Sequence, residues 1–451
     1  MKKNKYEIDM CNGSIMDKLI SFALPLMLSG ILQLMFNAVD LVVVGHFSGQ
    51  EALAAVGSTT ALIAVFTNLF IGISLGANVL AARFYAAGRE KEMSETVHTS
   101  IMLALISGVA MAIVGVIFAK GALQLMDTPD NVIDLSTLYM RIYFMGMPFF
   151  MLYNYGAAIL RAVGDTKRPL LFLIISGVSN AILNMILVIV FHLGVAGVAI
   201  GTVMSQFISC VLVLRCLCKT QSSYQLHFDR LAIKGDYVKL IFQVGIPAGI
   251  QSTVINFSNV LLQSSVNSFG ATAMAGYTAA NNLLGFLYVS VNAVTQACMS
   301  FTSQNYGVGK YKRMDRVLLD CLGLTVVVAG ALGLGVYLFG PQILRIYTSE
   351  ADVISCGMEI LSITTIPYFL CGIMDLFPGA LRGMGYSAVP MVLSVIGTVG
   401  TRILWIYGFF PHNRSLFFLF ISYPGSWLIT IVMQVICYLY VRKRCVGAQK
   451  M

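Results

Sequence analysis

Residues 24–45, LPLMLSGILQLMFNAVDLVVVG, are apolar almost throughout, yet they carry an aspartate at position 40. They sit inside a span over 15–46, long enough to cross ~30 Å of hydrocarbon at ~1.5 Å per residue. A carboxylate at that depth costs ~2.5–3.5 kcal/mol on insertion scales. Such a residue is kept where it lines a polar cavity or a path for ions and substrates. Asp40 is therefore the first candidate functional residue, and the span around it sets the fold class as membrane helices.

The rest of the chain agrees. Of 451 residues, 58% are hydrophobic and only 11% charged, roughly half the charge of a soluble globular protein; the mean hydropathy is +0.82. The longest polar stretch, 219–236, is too short to fold alone. Twelve spans are expected: 15–46, 52–81, 93–119, 132–160, 168–191, 195–218, 237–267, 272–303, 314–339, 352–381, 388–411 and 415–441. The ten cysteines are scattered through apolar runs, with no CxxC pair and no zinc spacing, and read as buried small hydrophobes. The first span is too long for a signal-peptide core and lacks a suitable cleavage site.

The net charge of +9 is placed as a topology signal. Lys2, Lys3, Lys5 and Lys18, the loops holding Arg83, Arg161, Lys219 and Arg382 among others, and the tail with Arg442, Lys443, Arg444 and Lys450 fall on one side. The other side holds only Lys120, Arg345 and Arg414. By the positive-inside rule both termini are expected in the cytoplasm. The basic balance thus gives no nucleic-acid partner.

The design is doubled at an offset near 221 residues. Pro25 answers Pro247, GHFSGQEALAAVG (45–57) answers NSFGATAMAGYT (267–278), RFYAAGREKEM (83–93) answers QNYGVGKYKRM (304–314), and LRAVGDTKRP (160–169) answers LRGMGYSAVP (381–390). Chance similarity between apolar helices does not keep Gly, Pro and charged loop residues in register. The expected fold is an all-α integral membrane protein with twelve transmembrane helices in two six-helix bundles. Six spans per copy relate the bundles by a pseudo-two-fold axis along the membrane normal. The expected organisation is 1–218, an amino-terminal bundle; 219–236, a cytoplasmic connection; and 237–451, a carboxyl-terminal bundle.

Pro25-x14-Asp40-x4-Gly45, the following EALAAVG (51–57), the LRG/LRAVGD-type turns and GVAGVAIGT (194–202) together resemble the multidrug and toxic compound extrusion (MATE) transporters. The resemblance covers nearly the whole chain. It implies a cation-coupled antiporter that exports amphipathic, often cationic compounds from a bacterial inner membrane. It also implies a polar cluster in the amino-terminal bundle, at Asp40, Asn180, Asn184 and Thr202. This chain departs from many relatives, which carry a second Asp where Asn184 stands, and residues 247–267 contain no acid.

Depth along the spans gives a check that does not use the family. Asp40 lies ~9 Å below the outer end of its span, Asn180 and Asn184 ~10–17 Å, Thr202 ~10 Å and Arg141 ~14 Å into the fourth span. Asn180 and Asn184 share a helix face as an i,i+4 pair. Five polar groups of the first bundle therefore fall in one outer-leaflet layer and are the expected coupling and substrate-binding set. Plainer roles are open to each: helix–helix hydrogen bonds for the asparagines, a bond to its own backbone for Thr202, snorkelling for Arg141. In the second bundle Glu359 (~11 Å deep) and Arg402 (~14 Å) are expected to pair, a registry device more than a working site. Asp375 is read two ways, as a second coupling carboxylate or as the partner of Arg382. The 24 methionines and 47 phenylalanines and tyrosines suit a promiscuous apolar cavity.

The expected mechanism is alternating access, with Asp40 exchanging its negative charge for H+ or Na+ and thereby releasing a cationic substrate. Asn and Thr oxygens are hard ligands suited to Na+; no other metal site, cofactor or protein partner is expected, and the unit is expected to be a monomer in the lipid bilayer. The nearest string to a P-loop, GVGKY (307–311), lacks its first glycine and its Ser/Thr, so the driving force is a gradient. A lipid-linked oligosaccharide flippase of the same superfamily calls for more intramembrane arginines than Arg141 and Arg402. An intramembrane enzyme calls for a catalytic His, Ser–Lys or paired Asp at depth, whereas His46, His98, His192, His227 and His412 all lie near span ends. Drug susceptibility of cells expressing the chain, with and without an ion gradient, separates these classes.

Overall fold

The computed structural model describes residues 6–126 and 128–447; Lys2, Lys3, Lys5 and Lys450 of the charge count lie outside them. The described chain is helical: α1 (Met16–Phe47), α2 (Gln50–Ala86), α3 (Glu90–Leu125), α4 (Asp130–Met145), α5 (Met147–Ala162), α6 (Lys167–Met185), α7 (Gly194–Lys219), α8 (Gly235–Asn267), α9 (Ala271–Gly307), α10 (Tyr311–Leu344), α11 (Ala351–Thr365), α12 (Tyr368–Gly383), α13 (Ala388–Ser394), α14 (Thr401–Leu404), α15 (Leu416–Phe420) and α16 (Ser422–Gly447). Ten helical segments are long and apolar enough to span a membrane, and α11–α12 forms an eleventh bent by 48°. The remaining expected span, 132–160, is the pair α4–α5, interrupted at Gly146.

Both broken spans have a covalent cause. Pro148 stands in the first turn of α5 and Pro367 caps α12; a proline cannot donate to the preceding turn, so a continuous helix through it loses a hydrogen bond. Three π-helical turns also interrupt the α pattern, at Ile186–Val190, Val395–Gly400 and Trp405–Phe409. The first is rich in Ile and Val, whose branched side chains crowd a regular α turn.

The duplication is visible in backbone conformation as well as in letters. Gly88 and Gly309 have φ of 66° and 70°, and Gly164 and Gly385 have 94° and 91°. The members of each pair lie 221 residues apart. Glycine reaches this left-handed region without the steric penalty of a Cβ, which explains why these letters persist in both copies.

By contacts the chain forms two compact units. Unit 1 holds the described residues up to Asp9 together with Leu28–Gly249; unit 2 holds Met10–Met27 and everything from Ile250 onward. This division differs from the bundle limits read along the chain. It falls inside α1 and α8, in each case just after an internal proline, Pro25 or Pro247. Proline frees a helix segment from its ladder, so the two ends of one helix pack on different neighbours.

Within unit 1, the start of α8 meets α2 backbone to backbone. A Cβ placed on Gly72 would lie 2.3 Å from Gly249 Cα, and one on Gly76 would lie 2.1 Å from the Ile241 carbonyl. This is the small-x3-small packing that membrane helices use in place of a hydrophobic driving force. Near the loop end of the same unit, Glu7 accepts hydrogen bonds from the hydroxyls of Tyr85 (2.8 Å) and Tyr224 (2.7 Å). Within unit 2, Phe22 meets Phe301 edge to face at 5.7 Å, and Asn305 donates to the Met10 carbonyl at 3.1 Å. The cysteines form no disulfide among the described residues.

Candidate functional site

Three helices of unit 1 build one polar cluster. Asp40 comes from α1 and is partly buried. Asn184 of α6, fully buried, donates from Nδ2 to Asp40 Oδ1 at 2.5 Å. The same amide is 3.4 Å from Asn180 Oδ1, and Asn180 Nδ2 is 3.5 Å from the Thr202 hydroxyl of α7. That hydroxyl also donates to its own helix at Val198, 3.0 Å away, and lies within reach of the Asp40 carboxylate. The structure therefore brings Asp40, Asn180, Asn184 and Thr202 together, as their shared depth and the i,i+4 spacing suggested.

Local sequence makes this approach possible. Gly201 leaves room on α7: a Cβ there would fall 2.1 Å from Asn184 Oδ1. The π turn begins two residues after Asn184, and widened turns of this kind recur where helices carry functional groups. Asn184 Oδ1 is buried without a hydrogen-bond partner. Beside the Asp40 carboxylate, it leaves an oxygen-rich corner in which a proton or a small hard cation finds acceptors.

Two residues that depth alone did not single out join this neighbourhood. Tyr139 and Tyr143 of α4, stacked with ring centroids 6.1 Å apart, are close enough to interact electrostatically with Asp40. The signal was present, since tyrosines four apart share a face, but so many tyrosines lie in the spans that it did not stand out. Arg141, expected in the same layer, is not part of the cluster. It sits between those tyrosines in sequence, hence on the opposite face of α4. Its side chain is exposed, and its Nε donates to the Val116 carbonyl at 3.2 Å.

In unit 2 the expected Glu359–Arg402 pair does not form. Glu359 is exposed and accepts the Phe417 N–H at 3.1 Å. Arg402 is buried and donates instead to Asn259 and Ser258 of α8. Equal depth placed the two charges at one level of the bundle but on different sides of it. Asp375 is partly buried on α12, interacts electrostatically with Arg382 and Tyr288, and has no direct ion pair among the described residues; Arg382 donates to Gln251 at 2.6 Å. His98 and His227 stack at 6.3 Å beside an open cavity of about 590 Å³ at the loop end of unit 1. None of the Asp40 cluster lines that cavity.

The MatE family model matches this chain twice, over residues 25–186 and 247–407. The chain belongs to the MatE family. The two matches open at Pro25 and Pro247, the same register as the internal repeat. This family consists of membrane transporters, so the chain is a multi-span transporter of small molecules and not an enzyme. Among relatives, the probable multidrug resistance protein YoeA of Bacillus subtilis is 28% identical, with 94% of this chain and 93% of the relative covered. The probable multidrug resistance protein NorM of Thermotoga maritima is 26% identical, covering 86% and 84%. The multidrug export protein MepA of Staphylococcus aureus is 21% identical, covering 86% of each. The fold is also that of solved structures. A MATE in complex with MaD3S superposes with a TM-score of 0.90 at 21% identity over 100% of each chain. An outward-facing multidrug resistance MATE family transporter superposes at 0.89 with 20% identity, again over 100% of each.

Proposed function

We propose that this transporter exports amphipathic, often cationic organic compounds in exchange for H+ or Na+ by alternating access, as a monomer in the bacterial inner membrane with both termini cytoplasmic. The observation that carries the reading is the Asp40–Asn184 hydrogen bond, continued through Asn180 to Thr202 on three helices. A desolvated carboxylate held by one amide has two states of similar standing. Charged, it is stabilised by the Asn184 N–H and attracts a cationic compound. Neutralised by a proton or a bound Na+, it loses that attraction, and the amides rearrange around it. Relatives described as multidrug resistance and multidrug export proteins support the same class of cargo.

The test is counterflow in proteoliposomes under an imposed pH gradient or an imposed Na+ gradient, with wild type and Asp40→Asn. Export driven by one gradient and lost in the variant supports the reading. Wild-type exchange rates in the variant overturn the role of Asp40, and indifference to both gradients overturns antiport.

A further inference from the structure

Unit 2 buries a cation without an acid. Arg402 is 3% exposed, and its short helix α14 lies between two π turns. All its hydrogen bonds leave from Nη1, to Asn259 Oδ1 at 2.9 Å and Ser258 Oγ at 3.4 Å. The guanidinium carbon sits 4.1 Å from the centroid of the Tyr423 ring. Nε is buried with no partner, and among the described residues no carboxylate lies within ion-pair distance of this group. Neutral partners and an aromatic face offset only part of the cost of desolvating a guanidinium. What stays open is the Nε–Nη2 edge, the planar fork that takes a carboxylate through two parallel hydrogen bonds.

The position is that of the Asp40 cluster one repeat later. Thr401 and Trp405, which bracket Arg402, stand 221 residues after Asn180 and Asn184, and Tyr423 stands 221 after Thr202. Ser258 and Asn259 lie on α8, the helix that begins the second copy as α1 begins the first. Three corresponding helices thus enclose a desolvated polar spot in each unit, but in unit 2 the charge is positive.

We propose that the interior of unit 2 binds an organic carboxylate on the Nε–Nη2 edge of Arg402, so that the compounds handled by this transporter include carboxylate-bearing amphiphiles. Binding itself does not depend on the export reading; the statement about transported compounds rests on it. A packing role for Arg402 accounts for the Nη1 bonds and the Tyr423 contact. It gives no reason to leave a fork edge of a buried cation unfilled.

The site carries its own reporters. The chain has two tryptophans: Trp405, one helical turn beyond Arg402, and Trp427, whose ring is 5.7 Å from that of Tyr423. Full-length protein in nanodiscs is titrated with 4-phenylbutyrate and with 4-phenylbutyramide, which differ only in the charged group, and tryptophan emission is followed. The carboxylate is expected to give a saturable change at half-saturation about tenfold below the amide, as a charge-assisted fork contact requires. Arg402→Gln is expected to make the two curves coincide. Asn259→Asp, which supplies an internal carboxylate to the same guanidinium, is expected to do so as well, and it decides the matter if Arg402→Gln does not give a monodisperse protein. Coincident curves in the wild type, or a surviving preference in Asn259→Asp, overturn the proposal. The preference is expected to persist in Asp40→Asn protein, which separates failure of this site from failure of the coupling mechanism.

Discussion

In unit 1 the ionisable side chain comes from α1, the first helix of its copy, and is met by amides from α6. In unit 2 it comes from α14, the counterpart of the end of α6, and is met by an amide and a hydroxyl from α8, the counterpart of α1. The duplicated scaffold therefore sets where a polar group is sheltered, between three particular helices. It sets neither which helix contributes the charge nor its sign. Packing is shared by the two copies because every turn and close approach constrains it, while one substitution on either wall is enough to change the chemistry of the space between them. Sequence divergence inside a conserved repeat is thus the place to look for division of labour.

The strongest break in this comparison is expected from Asp40→Asn, which keeps the shape of the unit 1 cluster and removes its charge. Gradient-driven export of a permanently cationic compound should fall to the level of empty liposomes. Asn184→Ala removes the one strong donor to the carboxylate; losing a hydrogen bond to a charged group, ~1.5 kcal/mol, should lower coupled export about tenfold, read as initial rate at matched protein content. Gly201→Ala acts one step further out, by pressing on Asn184 Oδ1. It should cut the rate by a few-fold, since the α7 backbone can yield a few tenths of an ångström at ~1 kcal/mol, and a rate equal to wild type would show that the Asn184 contact is not required. The smallest effect belongs to Arg141→Gln. With its side chain on the outer face of α4, export should stay within about twofold of wild type, as expected of a surface change. A loss as large as that of Asn184→Ala would return Arg141 to the site.

Much of this architecture could be read along the chain because it rests on period and offset. Hydropathy located the spans, and the 221-residue register was carried by glycines whose φ values the structure repeats pair by pair. The Asp40–Asn184 contact was legible from depth plus an i,i+4 spacing, two coordinates that suffice when few polar residues share a layer. Arg402 and Glu359 share a layer too, but depth leaves the azimuth free, and their helices turn them to Asn259 and to the Phe417 N–H instead. For Arg141 the azimuth was written beside it, in the tyrosines two residues away on either side. Proline foretold the interruptions at Pro148 and Pro367 only in part, because a proline inside a membrane span breaks it in some contexts and merely bends it in others. The π turns were not legible, since a widened turn leaves hydropathy unchanged.

Those wide turns have a consequence for how such a chain tolerates length changes. The stretch at Ile186–Val190 closes hydrogen bonds one residue later than its surroundings. Dropping a single residue there would let the coil tighten into ordinary α-helix, with no gap and no exposed carbonyl. The cost would appear elsewhere, as everything before the deletion rotated by about 100° against everything after it. Asn180 and Asn184 would then swing off the face that looks at Asp40. A tidier helix would be a blind one.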